Sequence, residues 1–215
     1  MASVPEAVRY VADLMAGFRH PWFLCGGWAV DAWLGYQSRD HGDVDIVVFH
    51  DDQRAVFDHL DGWELIAHDP HVPDDTNEPW DGRHLDLPAH IHVPHPRSTL
   101  ASSSARFNAE FEFEFLLNER STDEWVLAHE PRVALPIGHA VKQSAWQIPT
   151  ALPEIALFYK AGGHLAPAEA GDLRPHDELD FLALLPILTT SQRTWLRDAL
   201  TLTHPAHPWL TQLAN

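Results

Sequence analysis

The chain has 215 residues, 45% of them hydrophobic, which suits a folded protein with a sizeable core and excludes a disordered one. Its 14 basic and 31 acidic residues give a formal net charge of −17, which repels phosphate backbones, so nucleic acid is a poor partner and a cationic small molecule a better one. The lone Cys25 excludes an intrachain disulfide and suits a reducing cytoplasm. No run of 18 apolar residues is present, so no membrane span is expected.

Read in chain order, the N-terminus forms an amphipathic helix ending near Phe18, with Val8, Val11, Ala12 and Met15 on one face. Its charged residues interrupt any apolar core of a signal peptide. "HPWFLCGG" (20–27) predicts a short strand stopped by a glycine pair. "WAVDAWLG" (28–35) predicts a helix closed by Gly35. "DVDIVVFH" (43–50) is a strand, 52–62 a helix and 63–69 another strand. A proline- and aspartate-rich loop follows over 70–82. "RHLDLPAHIHVP" (83–94) alternates like a strand that Pro88 breaks. "EFEFEFLLNE" (110–119) alternates strictly, with Phe111, Phe113 and Phe115 on one face and Glu110, Glu112 and Glu114 on the other. Residues 124–136 complete a hairpin. Helices are then expected over 153–163, 174–188 and 191–203. These readings give an α+β chain in two parts, a sheet-and-helix domain over 1–138 and a helical lobe over 139–215.

Asp43 and Asp45 pose the main chemical question. Two residues apart on a strand, they face the same way. Like charges that close repel, and burying them is unfavourable unless a cation pairs them. One resolution is a solvated sheet face; the other is a divalent metal that clamps a phosphoryl group. The glycine pair bears on the choice. A strand running through Gly26 and Gly27 into a helix presents backbone N–H groups to an anion, and Arg39 and His41 lie between that turn and the aspartates.

The run Gly26, Gly27, Trp28, Ala29, Val30, Asp31, then Leu34, Gly35, Arg39, His41, Asp43 and Asp45 resembles the aminoglycoside and lincosamide nucleotidyltransferases of the polymerase-beta-like superfamily. The likeness covers roughly residues 22–50. Weaker similarity continues in "PEIALFYKA" (153–161) and "HDELDF" (176–181). Tyr36 and His176 depart from the pattern, standing where arginine and lysine are frequent. The resemblance implies a mixed-sheet nucleotidyltransferase lobe flanked by helices and followed by a helical substrate-side lobe. It also implies transfer of a nucleoside monophosphate, AMP from ATP, to a hydroxyl of a small molecule, with two magnesium ions on Asp43, Asp45 and a third acid. Gly26, Gly27, Arg39, His41 and Lys160 would hold the nucleotide. An aminoglycoside is the first acceptor expected and a lincosamide the second, bound near Asp74, Asp75 and Glu78. Alternatives are a toxin-like enzyme modifying tRNA or protein, and a non-catalytic nucleotide-binding relative.

For the third acid the sequence offers Glu114 first, then Glu112, then Asp86; the two glutamates also read as the solvent side of an amphipathic strand. Asp180 suits a pairing role between lobes, and Lys160 suits either the triphosphate or a helix end favoured by the dipole. Spaced histidines at 84, 90, 92 and 95 raise zinc, but with no accompanying cysteine and 16 histidines in the chain the pattern is not specific. Cys25, in a buried strand, reads as packing. Trp80, in the acidic loop, is a candidate acceptor contact.

Overall fold

The computed structural model describes residues 3–68, 78–94, 111–165 and 172–214. Asp74, Asp75 and His95 lie outside these residues, as does the side chain of Glu78.

The helices are α1 (Glu6–Met15), α2 (Gly26–Leu34), α3 (Gln53–His59), α4 (Ile137–Ala140), α5 (Pro153–Lys160), α6 (Pro175–Leu184), α7 (Thr190–Thr203) and α8 (Trp209–Leu213). The strands are β1 (Trp22–Leu24), β2 (Val44–Phe49), β3 (Ile66–His68), β4 (Glu78–Pro79), β5 (His90–Val93), β6 (Phe113–Ser121), β7 (Glu124–Val126), β8 (Ala134–Pro136), β9 (Val141–Gln143) and β10 (Pro149–Ala151). They form a mixed sheet in the order β4-β3-β5-β6-β2-β1-β10-β9, and the end of β6 bends away to pair with β7. At the centre β2 lies parallel to β6 and antiparallel to β1.

Alternation along the central strands divides the core in two. Val44, Ile46, Val48, Phe113 and Phe115 pack on one face against Val8, Val11 and Met15 of α1 and Val56 of α3. Val47 and Phe49 point to the other face, where Val30 of α2 and the C-terminal helices cover them through Ile155, Phe158, Phe181, Leu196 and Trp209. The sheet and the C-terminal helices therefore share one apolar core. Strands β9 and β10, which follow the expected break at 138/139, belong to the sheet: β10 runs parallel to β1 with Leu24 opposite Thr150. Asp45 shares a face with Val47 and Phe49, but at the end of the strand that the helices leave open. This open end is the cleft.

Several expected boundaries shift. The glycine pair is the first turn of α2 rather than a loop before it. Gly35 does end this helix, in the left-handed conformation at φ 80°. Of the strand expected over 83–94 only β5 forms. Trp80 is not an acceptor contact. It is 4% exposed, packs in the first core and donates its indole N–H to the Arg83 carbonyl.

Candidate active site

The cleft is built around the junction of β1 and α2. Cys25 is extended and donates its N–H to the Asp45 carbonyl at 2.9 Å, which fixes the start of α2 against β2. Gly26 then adopts φ +59°, and a Cβ there would lie 1.5 Å from Asp45 Oδ2. A Cβ on Gly27 would lie 2.3 Å from His41 Nδ1 and 2.7 Å from Arg39 Nη2. The two glycines are thus needed for close approach: each lets a functional side chain lie directly on the helix start. The first-turn N–H groups of a helix lack intrahelical acceptors, and Gly26 and Gly27 line the cleft.

The remaining motif residues hold this arrangement. Asp31, fully buried on α2, accepts from His41 Nε2 at 2.6 Å and from the Ser38 hydroxyl at 2.5 Å. Trp28 donates its indole N–H to the Asp43 carbonyl at 2.9 Å, and its ring lies 4.3 Å from that of His41. Trp28 and Asp31 therefore position His41 and Asp43 rather than line the cavity.

Carboxylates gather on one wall. In the parallel register of β2 and β6, Asp45 stands opposite Glu114. Carboxylate oxygens of Asp43, Asp45 and Glu114 lie within 4.8 Å of one another. Burial, then repulsion from Asp43, raises the pKa of Asp45, and burial, then Asp45, raises that of Glu114. Glu112 lies just before β6, and its carbonyl accepts from the Val44 N–H. Asp86 is exposed and faces His84 at 3.9 Å, so it does not join the group.

Cations line the same cleft. Lys160, at the end of α5, is 8% exposed, and its Nζ lies 2.9 Å from Asp177 Oδ1 and 2.7 Å from Asp180 Oδ2. Arg39 reaches Asp180 Oδ2 at 3.0 Å, and Arg174 reaches Asp177 Oδ2 at 2.6 Å. Asp180 is therefore the link between α6 and the segment after α2. Arg174 and Asp177 were not singled out in the sequence. Their three-residue spacing at the start of α6 was the available signal. Arg39, Lys160, Arg174 and His176 line the cleft of about 410 Å³ together with Asp43, Asp45 and Glu114.

Two further groups border the site. Cys25 is buried, and burial, then Asp45, pushes its thiol up to about 12, which leaves it an inert packing residue. The Tyr159 hydroxyl donates to Asn118 Oδ1, which also accepts from the Trp125 indole N–H at 2.6 Å.

The family model for aminoglycoside-2''-adenylyltransferase matches residues 7–68. No curated protein matches the sequence. The lincosamide antibiotic adenylyltransferase LnuA, solved with lincomycin bound, is similar in structure at a TM-score of 0.55 and 18% identity, over 87% of this chain and 100% of that one. The antibiotic-resistance factor ANT(2'')-Ia, in its solution structure, matches at 0.55 and 14% identity over 93% of this chain and 92% of its own. Its complex with adenylyl-2''-tobramycin matches at 0.55 and 12% identity, over 90% and 95%. These relatives are nucleotidyltransferase enzymes, and this chain has their fold, with an N-terminal segment that resembles the aminoglycoside-2''-adenylyltransferases.

Proposed function

We propose that the chain is a magnesium-dependent nucleotidyltransferase that moves AMP from ATP to a hydroxyl of a small acceptor. The supporting observation is the register that sets Asp45 beside Glu114, with Asp43 two residues back, in a cleft also lined by Arg39, Lys160 and Arg174. The donor set fits magnesium: three carboxylates supply hard oxygen ligands, and burial together with mutual repulsion disfavours the charged forms of Asp45 and Glu114, which a bound dication would offset. Asp43, Asp45 and Glu114 would hold two ions. Bound there, magnesium would neutralise the phosphate oxygens around the reacting phosphorus.

The chain's own groups do the positioning. Gly26 and Gly27 offer the start of α2 to the triphosphate. Arg39 and Lys160, both held by Asp180, present fixed positive charge in the cleft, and His41 is oriented by Asp31. Cations in this cluster outnumber the two carboxylates they bind by one, so the cluster stays positive. Glu114 takes the proton of the acceptor hydroxyl as its oxygen bonds to the α-phosphorus. The bond from that phosphorus to the bridging oxygen breaks, and pyrophosphate leaves. Orientation and charge placement carry the rate.

The acceptor expected first is an aminoglycoside, and a lincosamide second. The −17 charge favours a polycationic ligand, and the structural relatives were solved with tobramycin adduct and lincomycin. The test incubates the purified chain with MgATP and a panel of both antibiotic classes and measures pyrophosphate. Release with at least one acceptor, abolished by Asp43→Asn, is expected. Tight ATP binding with no release for any acceptor would favour a non-catalytic nucleotide-binding protein. Growth arrest on expression, relieved by Asp45→Asn, would favour a toxin-like enzyme.

A further inference from the structure

The sheet face that carries the carboxylates holds a second convergence of ligand-type side chains. Strands β3 and β5 pair antiparallel with His68 opposite His90 and Ile66 opposite His92. Cross-strand partners, and residues two apart on one strand, share a face. His68, His90 and His92 therefore project together. They do so on the side where His92 stands opposite Glu114 of β6. One nitrogen from each ring lies within 4.8 Å of those of the other two. His68 and His90 stack at 26° with ring centroids 4.4 Å apart, while His92 meets His90 at 74° and His68 at 84°, so the three rings turn one nitrogen each into a common region. Glu114 Oε2 lies 3.3 Å from His92 Nδ1 and 3.7 Å from His90 Nε2.

We infer that His68, His90 and His92 form a site for a divalent transition-metal ion of the zinc class, separate from the oxygen site of Asp43 and Asp45 and bordering it at Glu114. Three imidazoles suit zinc, cobalt or nickel, whereas magnesium prefers oxygen. Three protein nitrogens with a fourth position open is the ligand count of a reactive zinc site rather than a closed structural one. Metal–nitrogen bonds of about 2.0–2.1 Å in a tetrahedron require nitrogens about 3.3 Å apart. Side-chain rotation suffices to reach that spacing, because the strands already set the three residues on one face.

The histidine-rich composition is the bland explanation, but it does not predict this grouping. Sixteen histidines are scattered along the chain. Among the described residues, the only groups of three potential ligands are these histidines and the Asp43, Asp45 and Glu114 set.

The test uses the full chain, without any added histidine tag, with cobalt(II) as the probe and excess magnesium present to occupy the oxygen site. One equivalent of cobalt is expected to bind, with the visible d–d absorption of a low-coordinate nitrogen site, and zinc is expected to displace it. His68→Asn and His90→Asn, each checked for folding by circular dichroism, should weaken binding more than about tenfold and remove the band. Asp43→Asn should keep the band while losing pyrophosphate release, which separates this site from the proposed transfer chemistry. Absence of stoichiometric cobalt binding in the unmodified chain would overturn the inference. So would a band unchanged in both histidine variants, because the cobalt would then lie elsewhere.

Discussion

Asp45 is held where its charge is unfavourable without a partner. Burial and Asp43 raise its pKa above the ordinary carboxylate value of 3.8. A carboxyl whose folded pKa is raised contributes stability below its unfolded pKa and loses it as pH rises toward the folded value. Without metal, the neutral amide of Asp45→Asn should therefore melt higher than the unmodified chain at pH 7 and above. Added magnesium should raise the melting temperature of the unmodified chain and leave that of the variant nearly unchanged. Calorimetry with and without magnesium checks both, and a variant less stable than its parent without metal would contradict this reading of the site. Stability given up at Asp45 is what equips it to hold a cation. At this scale the sequence was informative. The two-residue spacing of Asp43 and Asp45 and the alternation around Glu114 put acids on definable faces. The sequence left Glu114, Glu112 and Asp86 as alternatives, because strand register depends on tertiary pairing rather than on either strand alone.

At the scale of elements, α5 and α6 are tied to the α2–β2 connection by buried charge. Asp180, with its side chain 3% exposed, serves both Lys160 and Arg39. Among the described ion pairs, Asp180→Ala leaves Lys160 with Asp177 and removes the carboxylate partner of Arg39, which keeps its bond to the Asp40 carbonyl. Removing one partner of a buried ion pair costs about 3–5 kcal/mol, and the more exposed Arg39 places the expectation near the lower end, about 3 kcal/mol. Chemical denaturation measures that loss, and the KM for ATP should rise as Arg39 loses its anchor. A second link joins α5 to α7, where Gln192 donates to Glu154 Oε2 at 2.7 Å. Burial pushes the pKa of Glu154 up to about 7 from 4.5. Its contribution is fully present below pH 4.5 and is lost as pH rises through 7, an effect of roughly 3 kcal/mol at most. Glu154→Gln should therefore flatten the stability profile over that window and be the more stable form at pH 8. Equal slopes for the two proteins would refute the assignment. Arg174 and Asp177 were not legible as site residues, because a polar helix start looks alike whether it faces solvent or a cleft. The cluster of His68 with His90 and His92 was hidden for a similar reason. His68 lies on a different strand, outside the spaced run, and only the β3–β5 pairing brings it in.

Across the whole molecule, the local motif was more legible than the assembly. Residues 22–50 carried the fold family in their glycine pair, helix and paired aspartates. The sequence placed a helical lobe after residue 138, yet β9 and β10 join the sheet, and its second face is covered by the C-terminal helices. Short strands such as Val141–Gln143 carry too little periodicity to be seen alone. The net charge of −17 acts at this scale too. The KM for a polycationic acceptor should rise several-fold as ionic strength increases from low salt, while the KM for a neutral or singly charged acceptor changes little. If the Asp43, Asp45 and Glu114 cluster serves transfer of a nucleotide rather than of a phosphate, ATP labelled at the α- or the γ-phosphorus distinguishes the two, supplied with magnesium and an accepted antibiotic. The α-label should appear on the antibiotic and the γ-label in pyrophosphate, with both transfers lost in Asp45→Asn. Appearance of the γ-label on the antibiotic, or undiminished transfer by that variant, would contradict nucleotide transfer by this cluster.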